Sequence, residues 1–566
     1  MLFFFCNFAA QNKMIPMKAR FSLIWVVLLA CQFVTAETHI QINNPNTWSP
    51  EDLRPYIGQT VIFDVPMVVN ENYNGLKIST RRMFAPTNQA RPTSSRISEI
   101  VTLNATGNIS LSNAPLADGD KDYRCGEKIY NLKAKVNSTS SLTWISGEWQ
   151  GNSRKDLENA DIRAMVNIAD CDECLLVCTM NLEYYIVENV GSGLGPSSSS
   201  AHEKQRAKIS KALAKINADL YGLVEIEQGQ KAVAEIASDL NTNLPDRNYT
   251  YINDGGTPSG TYTKSAFVYD RNKLKPIGVI QERKAGTITA ERHRMICFEE
   301  IATGERFIFS VNHFKAKNTD GSGLDSYLND HGQGGYNQSR QEEAQIVVDI
   351  YKDYHRNNVI KDKDILIMGD LNSYAKEDPI TLLTNDCGMI DLHRAFHADS
   401  SYSYTFRDRN FNYQQLAGYL DHALCNSTLR PQVTGVCGFH INSDELDKYT
   451  YDRSDDKTMF RSSDHDPVLV GLHLDKSLSY TPTPTLNTAE VMSGQASTLT
   501  IRNAYKEGQT SYYAIYDING QMVMKQAKPE KIENEVHPVE LPSLPGIYIL
   551  HLYYDYKVYP YKFIVQ

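Results

Sequence analysis

From residue 175 to residue 474, short apolar runs alternate with segments of helical period, and this alternation limits the fold more than any other feature of the chain. Strands are predicted at 175–181, 221–226, 265–269, 307–312 and 365–368. Between the first two, Ala207, Ile209, Leu213, Ile216 and Leu220 recur near helical spacing, after a Gly- and Ser-rich loop over 191–200. A polar helix is predicted over 339–353. Strands threaded by helices need an α/β domain of two packed layers or more, because each sheet has an apolar face to cover.

The last of these strands lies in Asp364-Ile365-Leu366-Ile367-Met368-Gly369-Asp370-Leu371-Asn372. Its apolar run is short and bounded by charge and Gly, which fits a core strand better than a helix. Gly369 lets the backbone turn with no Cβ in the way. Asp370 and Asn372, two apart on an extended chain, then fall on one side. Alone, such a segment is as readily an Asx-stabilised turn at a strand end. Four more polar sets stand near strand ends: Asn181, Glu225, His313 in Asn312-His313-Phe314-Lys315, and Asp464-His465 in Ser463-Asp464-His465-Asp466-Pro467. In an α/β sheet such residues converge on the mouth at one strand edge. Oxygen donors of this kind hold a hard cation and imidazoles neutralise or protonate a phosphate, so the set is what phosphodiester hydrolysis needs. A lone strand histidine is more often a satisfied core residue. Five sets in chain order are not so easily dismissed. Glu227 shares a strand face with Glu225 and is a further candidate ligand.

A chain of 566 residues is too long for one core, so several domains are expected. Lys18 and Arg20, the apolar run 21–34 and the small-residue site before Glu37 read as an export signal over residues 1–36, and Cys31 leaves lipid anchoring as a minority reading. The apolar run is shorter than the roughly twenty residues of a membrane span, and no other long one exists. Residues 37–170 read as a small β-rich, OB-like domain, with strands expected at 60–65 and 99–103. The catalytic candidates fall in 171–476. Two Thr-Pro repeats make 477–487 a stiff linker, and 488–566 reads as a β-sandwich with a hairpin turn at Asn519-Gly520. A net charge of −10 excludes a protein coated in basic surface, so a polyanion must be met by a local patch or a metal. Cys171-x-x-Cys174 with Cys178 is half of a zinc pattern whose second half is missing, so a disulfide or core thiol is the preferred reading.

The series Asn181, Glu225, His313, Gly369-Asp370-Leu371-Asn372, Leu420-Asp421-His422 and Ser463-Asp464-His465-Asp466-Pro467 resembles the endonuclease/exonuclease/phosphatase superfamily. Within it the match is nearest to large secreted bacterial nucleases, through Asn312-His313-Phe314-Lys315, Gly332-Gln333-Gly334-Gly335-Tyr336-Asn337 with Arg340, and His440-Ile441-Asn442-Ser443-Asp444-Glu445. The tail is similar to type IX secretion sorting domains, at Tyr516-Asp517-Ile518-Asn519-Gly520 and Leu544-Pro545-Gly546-Ile547-Tyr548. The resemblance implies a four-layer α/β sandwich, two packed sheets flanked by helices. It implies Glu225, Asn181 and Asp464 (or Asp370) as ligands of Mg²⁺, with Mn²⁺ or Ca²⁺ as alternatives. Asp370 would orient or deprotonate the attacking water, Asn372 would fix its geometry, and His313 and His465 would contact the scissile phosphate. Asp421 would hold the tautomer of His465. Arg292, Lys315, Lys317 and Arg340 are expected at backbone phosphates, with a solvated surface charge as the competing reading. One departure is Tyr184, where these nucleases often carry a second Asn.

The expected protein is thus a secreted or cell-surface, monomeric, metal-dependent hydrolase of DNA, with RNA as a further substrate, whose tail engages secretion machinery. A phosphatase or phospholipase-C-like phosphodiesterase of the same superfamily is the runner-up, although Gly418-Tyr419-Leu420-Asp421-His422 stands where the inositol branch carries Cys-Asp-Arg. A surface adhesion protein with an inert nuclease fold is the alternative of another class.

Overall fold

The computed structural model describes residues 37–73, 75–256, 263–284, 289–317, 332–356, 363–398, 400–408, 414–474, 485–487, 498–502, 510–518, 521–526, 530–531, 536–554 and 557–565. The expected leader lies outside the described residues.

The first body is a β structure made of β1 (Thr38–Ile40), β2 (Thr60–Phe63), β3 (Met67–Glu71), β4 (Lys77–Ser79), β5 (Ile109–Ser112), β6 (Lys128–Ser138) and β7 (Ser141–Gln150). Five of these close a ring: β3 pairs with β4, β4 with β5, β5 runs parallel to β7, β7 pairs with β6, and β6 returns to β3. Alternate residues point inward, as a period of two requires, so Val69, Ile78, Ile109, Ile129, Ala134 and Leu142 fill the interior. The strand expected at 99–103 is instead part of the helix Arg96–Thr106. Its β-branched residues misled the sequence reading. Ile100 and Asn104, four apart and so on one helical face, are the buried pair, and the Asn104 amide donates to the Phe84 carbonyl at 2.9 Å.

The second body is a sandwich of two six-stranded sheets. One sheet holds β8 (Leu175–Tyr185), β9 (Leu220–Glu227), β10 (Tyr249–Tyr251), β11 (Thr263–Asp270), β20 (Val433–Gly438) and β21 (Val468–Leu472), in the order β10-β11-β9-β8-β21-β20. The other holds β12 (Leu274–Glu282), β13 (His293–Glu300), β14 (Arg306–His313), β15 (Ile365–Asp370), β16 (Ile390–Asp391) and β19 (Asp421–Cys425), in the order β12-β13-β14-β15-β19-β16. Val177, Val224, Phe267, Phe309, Met368 and Val470 interlock between the sheets. Strands buried on both faces read as continuous apolar runs, which is why the sequence exposes them. The helices Ser199–Ile216 and Lys231–Asn243 cover the outer face of the first sheet through Ile209, Leu213, Ile236 and Leu240. The helix Asn337–Arg356 covers the second with Val347 and Tyr354 against Ile308 and Ile367. The result is the expected four-layer α/β sandwich. A hairpin of β17 (Tyr404–Asp408) and β18 (Gln414–Gly418) stands off it.

The hairpin is also where the two bodies join. Ala85 N–H donates to the Ala417 carbonyl at 2.8 Å and Ala417 N–H to the Met83 carbonyl at 2.9 Å. Beside it runs a seam of buried ion pairs: Arg82 with Asp444 at 3.3 Å, Arg154 with Glu445 at 2.5 Å and with Asp456 at 3.3 Å, and Arg124 with Glu445.

In the tail, strands Thr485–Asn487, Thr498–Arg502 and Val536–Glu540 form one sheet, and Thr510–Asp517, Met522–Lys525, Glu530–Lys531, Gly546–Tyr554 and Lys557–Val565 another. They share a core of Ile515, Val539, Leu550, Leu552 and Phe563. The last residues of the expected linker belong to this structure, because Thr485–Asn487 pairs with Thr498–Arg502. Asn519 and Gly520 lie outside the described residues. Cys171 and Cys174 form a disulfide and Cys178 is a buried thiol, in line with the preference against zinc. Among the described residues no helix is long and apolar enough to cross a membrane.

Candidate active site

Strand register brings the polar sets together. The parallel pairing of β14 and β15 sets His313 opposite Asp370, and the antiparallel pairing of β15 and β19 sets Asp370 opposite Asp421. In the facing sheet, parallel β8 and β9 bring Asn181 beside Val224, the residue before Glu225. His465 sits just ahead of β21. The carboxyl ends of four strands therefore share one mouth. Gly369 makes the approach of β15 to β14 feasible: its φ is +123°, and a Cβ there would lie 2.1 Å from the Asn312 carbonyl oxygen.

The side chains interlock. Asp370 Oδ1 accepts the Asn372 N–H at 2.8 Å, while its Oδ2 accepts the amides of Asn372 at 3.1 Å and Asn181 at 3.2 Å. Asn372 also donates to the Phe314 carbonyl at 3.0 Å, which ties the loop after β15 to that after β14. The Nε2 atoms of His313 and His465 each lie 3.8 Å from Asp370 Oδ2. His313 Nε2 is 3.4 Å from Glu225 Oε1. Glu225 Oε2 accepts the Tyr184 N–H at 3.1 Å. Asp421 Oδ2 takes the Nδ1–H of His465 at 2.7 Å and the Ser403 hydroxyl at 2.7 Å, which fixes the imidazole ring and its tautomer. The His465 ring rests 4.5 Å from that of Tyr404. Asp464, beside it, is half-buried and takes the Ser463 hydroxyl at 3.4 Å.

Backbone strain is concentrated here. Glu183, Tyr184, Glu225 and Asn372 have φ of +52°, +56°, +59° and +45°, a region costly for residues with a Cβ. The bulge at Glu183 and Tyr184 breaks the β8–β9 register between Asn181 and Tyr185 and turns the Tyr184 N–H onto Glu225. At the departure from the nuclease pattern, then, the backbone of residue 184 contacts the candidate ligand.

Electrostatics separate the two imidazoles. Burial pushes His313 well below its ordinary pKa, helped by Arg292, so it is neutral near pH 7. Burial opposes a charge on His465 too, but Asp421, Asp370 and Asp464 together outweigh it and hold the ring protonated. Glu225 is raised to about 7 by burial and by the charges of Asp464 and Asp370. Asp370 is also raised to about 7, by burial and by Asp421 against the pull of His465.

Two buried carboxylates held up in this way are the environment a hard divalent cation relieves. Asp370, Asp421 and His465 do place ligand atoms within 4.8 Å of one another. Asp421 Oδ2, however, is engaged by the imidazole and by Ser403, so the oxygens best suited to a cation are those of Glu225, Asp370 and Asp464 with the Asn181 amide. Glu227 does not join them. Its carboxylate accepts the backbone N–H groups of Val187, Glu188 and Asn189 at 2.8, 2.7 and 2.9 Å and serves as a loop tether.

The expected phosphate contacts divide. Arg292 borders the mouth, and its Nε and Nη2 atoms are buried without a hydrogen-bond acceptor, its nearest carboxylate being Glu343 at 3.5 Å. Lys315 lies with its ammonium 4.8 Å over the Tyr336 ring. Arg340 has no route to a phosphate: it is fully buried and donates to the carbonyls of Gly335, Gln333 and Lys315 at 2.5, 3.1 and 3.3 Å. Lys317 is held by Glu377 at 2.5 Å. Both belong to the scaffold. Ser403 and Tyr404, which order Asp421 and His465, were missed by sequence reasoning because neither stands in a motif.

Residues 189–465 match the Endonuclease/Exonuclease/phosphatase family. The chain therefore carries a hydrolase domain of that superfamily, whose members depend on divalent metal. Similar solved structures include an endonuclease/exonuclease/phosphatase family protein from Bacteroides thetaiotaomicron, 18% identical with a TM-score of 0.36, covering 55% of this chain and 98% of that one. A mannosyl-6-phosphatase from the same organism is 19% identical with a TM-score of 0.36, covering 53% and 100%. The human Nocturnin catalytic domain is 14% identical with a TM-score of 0.34, covering 53% and 94%. No curated protein matches the chain.

Proposed function

We propose that the protein is an exported, metal-dependent nuclease that hydrolyses phosphodiester bonds of DNA, and of RNA, by in-line attack of water. The observation that carries this reading is the junction of an ordered Asp421–His465 pair with two high-pKa carboxylates, Glu225 and Asp370, in one buried mouth. Glu225, Asn181, Asp464 and Asp370 would hold the cation, most simply Mg²⁺, which would supply charge to the non-bridging phosphate oxygens.

This chain's own residues do the rest. Asp370, its carboxylate oriented by Asn372 and Asn181, receives the proton of the attacking water. His465, charged and held by Asp421, faces the developing negative charge. His313, neutral, is restricted to hydrogen bonding of a phosphate oxygen. Arg292 and Lys315 meet the neighbouring phosphates. Export by the amino-terminal signal and engagement of secretion machinery by the tail complete the reading.

Digestion of plasmid DNA by the purified protein, with and without EDTA, tests it. Cleavage is expected with Mg²⁺ and is lost in EDTA and in Glu225→Ala and His465→Ala. Cleavage that persists unchanged in EDTA or in either variant overturns the mechanism.

A further inference from the structure

A cavity of about 340 Å³ opens beside the mouth with walls from both bodies. Tyr73 comes from the barrel, Tyr404 and Phe406 from β17, Tyr451 and Asp452 from the segment after β20, and Asp464 lies at the site end. Tyr404 and Phe406, two apart on a strand, share a face; their rings are 6.3 Å apart and inclined by only 18°. The row starts at the catalytic imidazole, since Tyr404 already packs on His465 at 4.5 Å. It then turns outward, with Phe406 47% and Tyr73 42% exposed. Large rings left open to water around a polar cavity offer flat faces on which a planar ligand can stack.

The barrel supplies a second, independent indication. Its ring order, with β5 parallel to β7 and β6 returning to β3, is that of the five-stranded OB barrel. Tyr73 sits in the loop between the first two strands of that ring, β3 and β4, one of the loops through which such barrels hold oligonucleotides and oligosaccharides.

The lining is acidic on balance, with Glu183, Glu445, Asp447, Asp452 and Asp464 against Arg453 and Arg461, so it suits the base of a nucleotide rather than its phosphate. Glu445, although it lines the cavity, is consumed by Arg124 and Arg154, and Asp447 is paired with Arg461 at 2.6 Å. Carboxylates such as Asp452 accept hydrogen bonds from the amino edges of bases.

We propose that this cavity seats unpaired nucleotides next to the scissile phosphate, their bases on the rings of Phe406 and Tyr73, so that the preferred substrate is single-stranded nucleic acid. A base inside a duplex has both faces covered by its neighbours and cannot stack on a side chain without leaving the helix. The inference rests on the nuclease reading above.

The test uses the full chain. Binding of a fluorescent single-stranded 12-mer and of the blunt duplex of the same length is measured in EDTA, and hydrolysis of bis(p-nitrophenyl) phosphate, which has no base, in Mg²⁺. The single strand is expected to bind at least about tenfold tighter than the duplex. Phe406→Ala and Tyr73→Ala are each expected to weaken single-strand binding by about fivefold or more. Phe406→Trp is expected to restore it, and the chromogenic diester to be turned over unchanged by all three. Equal affinity for the two nucleic acids, or a loss in the alanine variants that is the same for both, overturns the proposal. If the wild type leaves the chromogenic diester and every nucleic acid intact in Mg²⁺, it is the nuclease reading that fails.

Discussion

The mouth of the sandwich and the seam between the two bodies are both dense in buried charge, yet they are built on opposite plans. At the seam every principal acid meets a guanidinium: Glu445 has Arg124 and Arg154, Asp444 has Arg82, and Asp456 has Arg154. At the mouth, Glu225 and Asp370 face imidazoles at 3.4 and 3.8 Å and each other's field, and both are driven up to about 7. Paired charge holds a structure in one geometry, while buried carboxylates left without a guanidinium partner are poised for a ligand or a proton. The sign of a substitution should therefore differ between the two regions.

The sharpest contrast is expected at the mouth. Glu225→Ala or His465→Ala should lower phosphodiester turnover by about 10²–10⁴-fold. In EDTA the melting temperature of Glu225→Ala should hold steady or rise, because a strained acid has been removed. A melting temperature that collapses would place Glu225 with the seam residues.

At the seam the order is reversed. Glu445→Ala leaves Arg124 and Arg154 buried without their carboxylate and should cost about 3–5 kcal/mol of stability. Turnover per folded molecule should stay within about twofold of wild type. Denaturant unfolding and active-site-normalised rates separate the two effects, and a catalytic loss without a stability loss breaks the comparison.

Asp421→Asn lies between them. It keeps the shape but removes the charge that orients His465, and should reduce turnover by about 10–100-fold, as loss of an outer carboxylate partner does elsewhere. Its pH profile should also shift, because the imidazole loses the charge that opposes its burial.

The last effect expected is a drift of stability with pH. Glu225 and Asp370 titrate in the folded chain near 7, against about 4 when unfolded, so between these values the folded state holds protons that the unfolded chain has released. Stability in EDTA therefore falls as pH rises across that window. His465 acts in the same direction: its folded pKa is raised, so its contribution is complete below about 6.5 and is lost as pH climbs through the folded value. Divalent cation must displace the acid protons, so the gain in melting temperature on adding Mg²⁺ should widen from pH 5 to about pH 7 and then level off. A gap that is constant or narrows with pH would mean that the carboxylates are not the ligands.

The sandwich was legible in the sequence because strands covered on both faces print as apolar runs, and the acids and imidazoles at their ends could be read off the same runs. The barrel was legible as β structure, but Arg96–Thr106 was not, since Ile100, Val101 and Thr102 carry strand-like branching and the helical face shows only in what they pack against. Arg340 and Arg292 look alike as letters. One spends its donors on loop carbonyls and the other keeps two nitrogens without an acceptor, a difference of burial and direction that no spacing records. The seam was invisible for a related reason, its partners Arg154 and Glu445 being 291 positions apart.

Gly369 has a further consequence. With its missing Cβ facing the Asn312 carbonyl at 2.1 Å, the glycine acts as a spacer of zero thickness between the strand that ends in His313 and the strand that ends in Asp370. Any side chain there would wedge the two strands apart at the point where imidazole and acid must meet. The distance between them cannot be tuned at that position, so adjustment of the site has to come from residues that tilt the strand ends, such as Phe314 and Asn372.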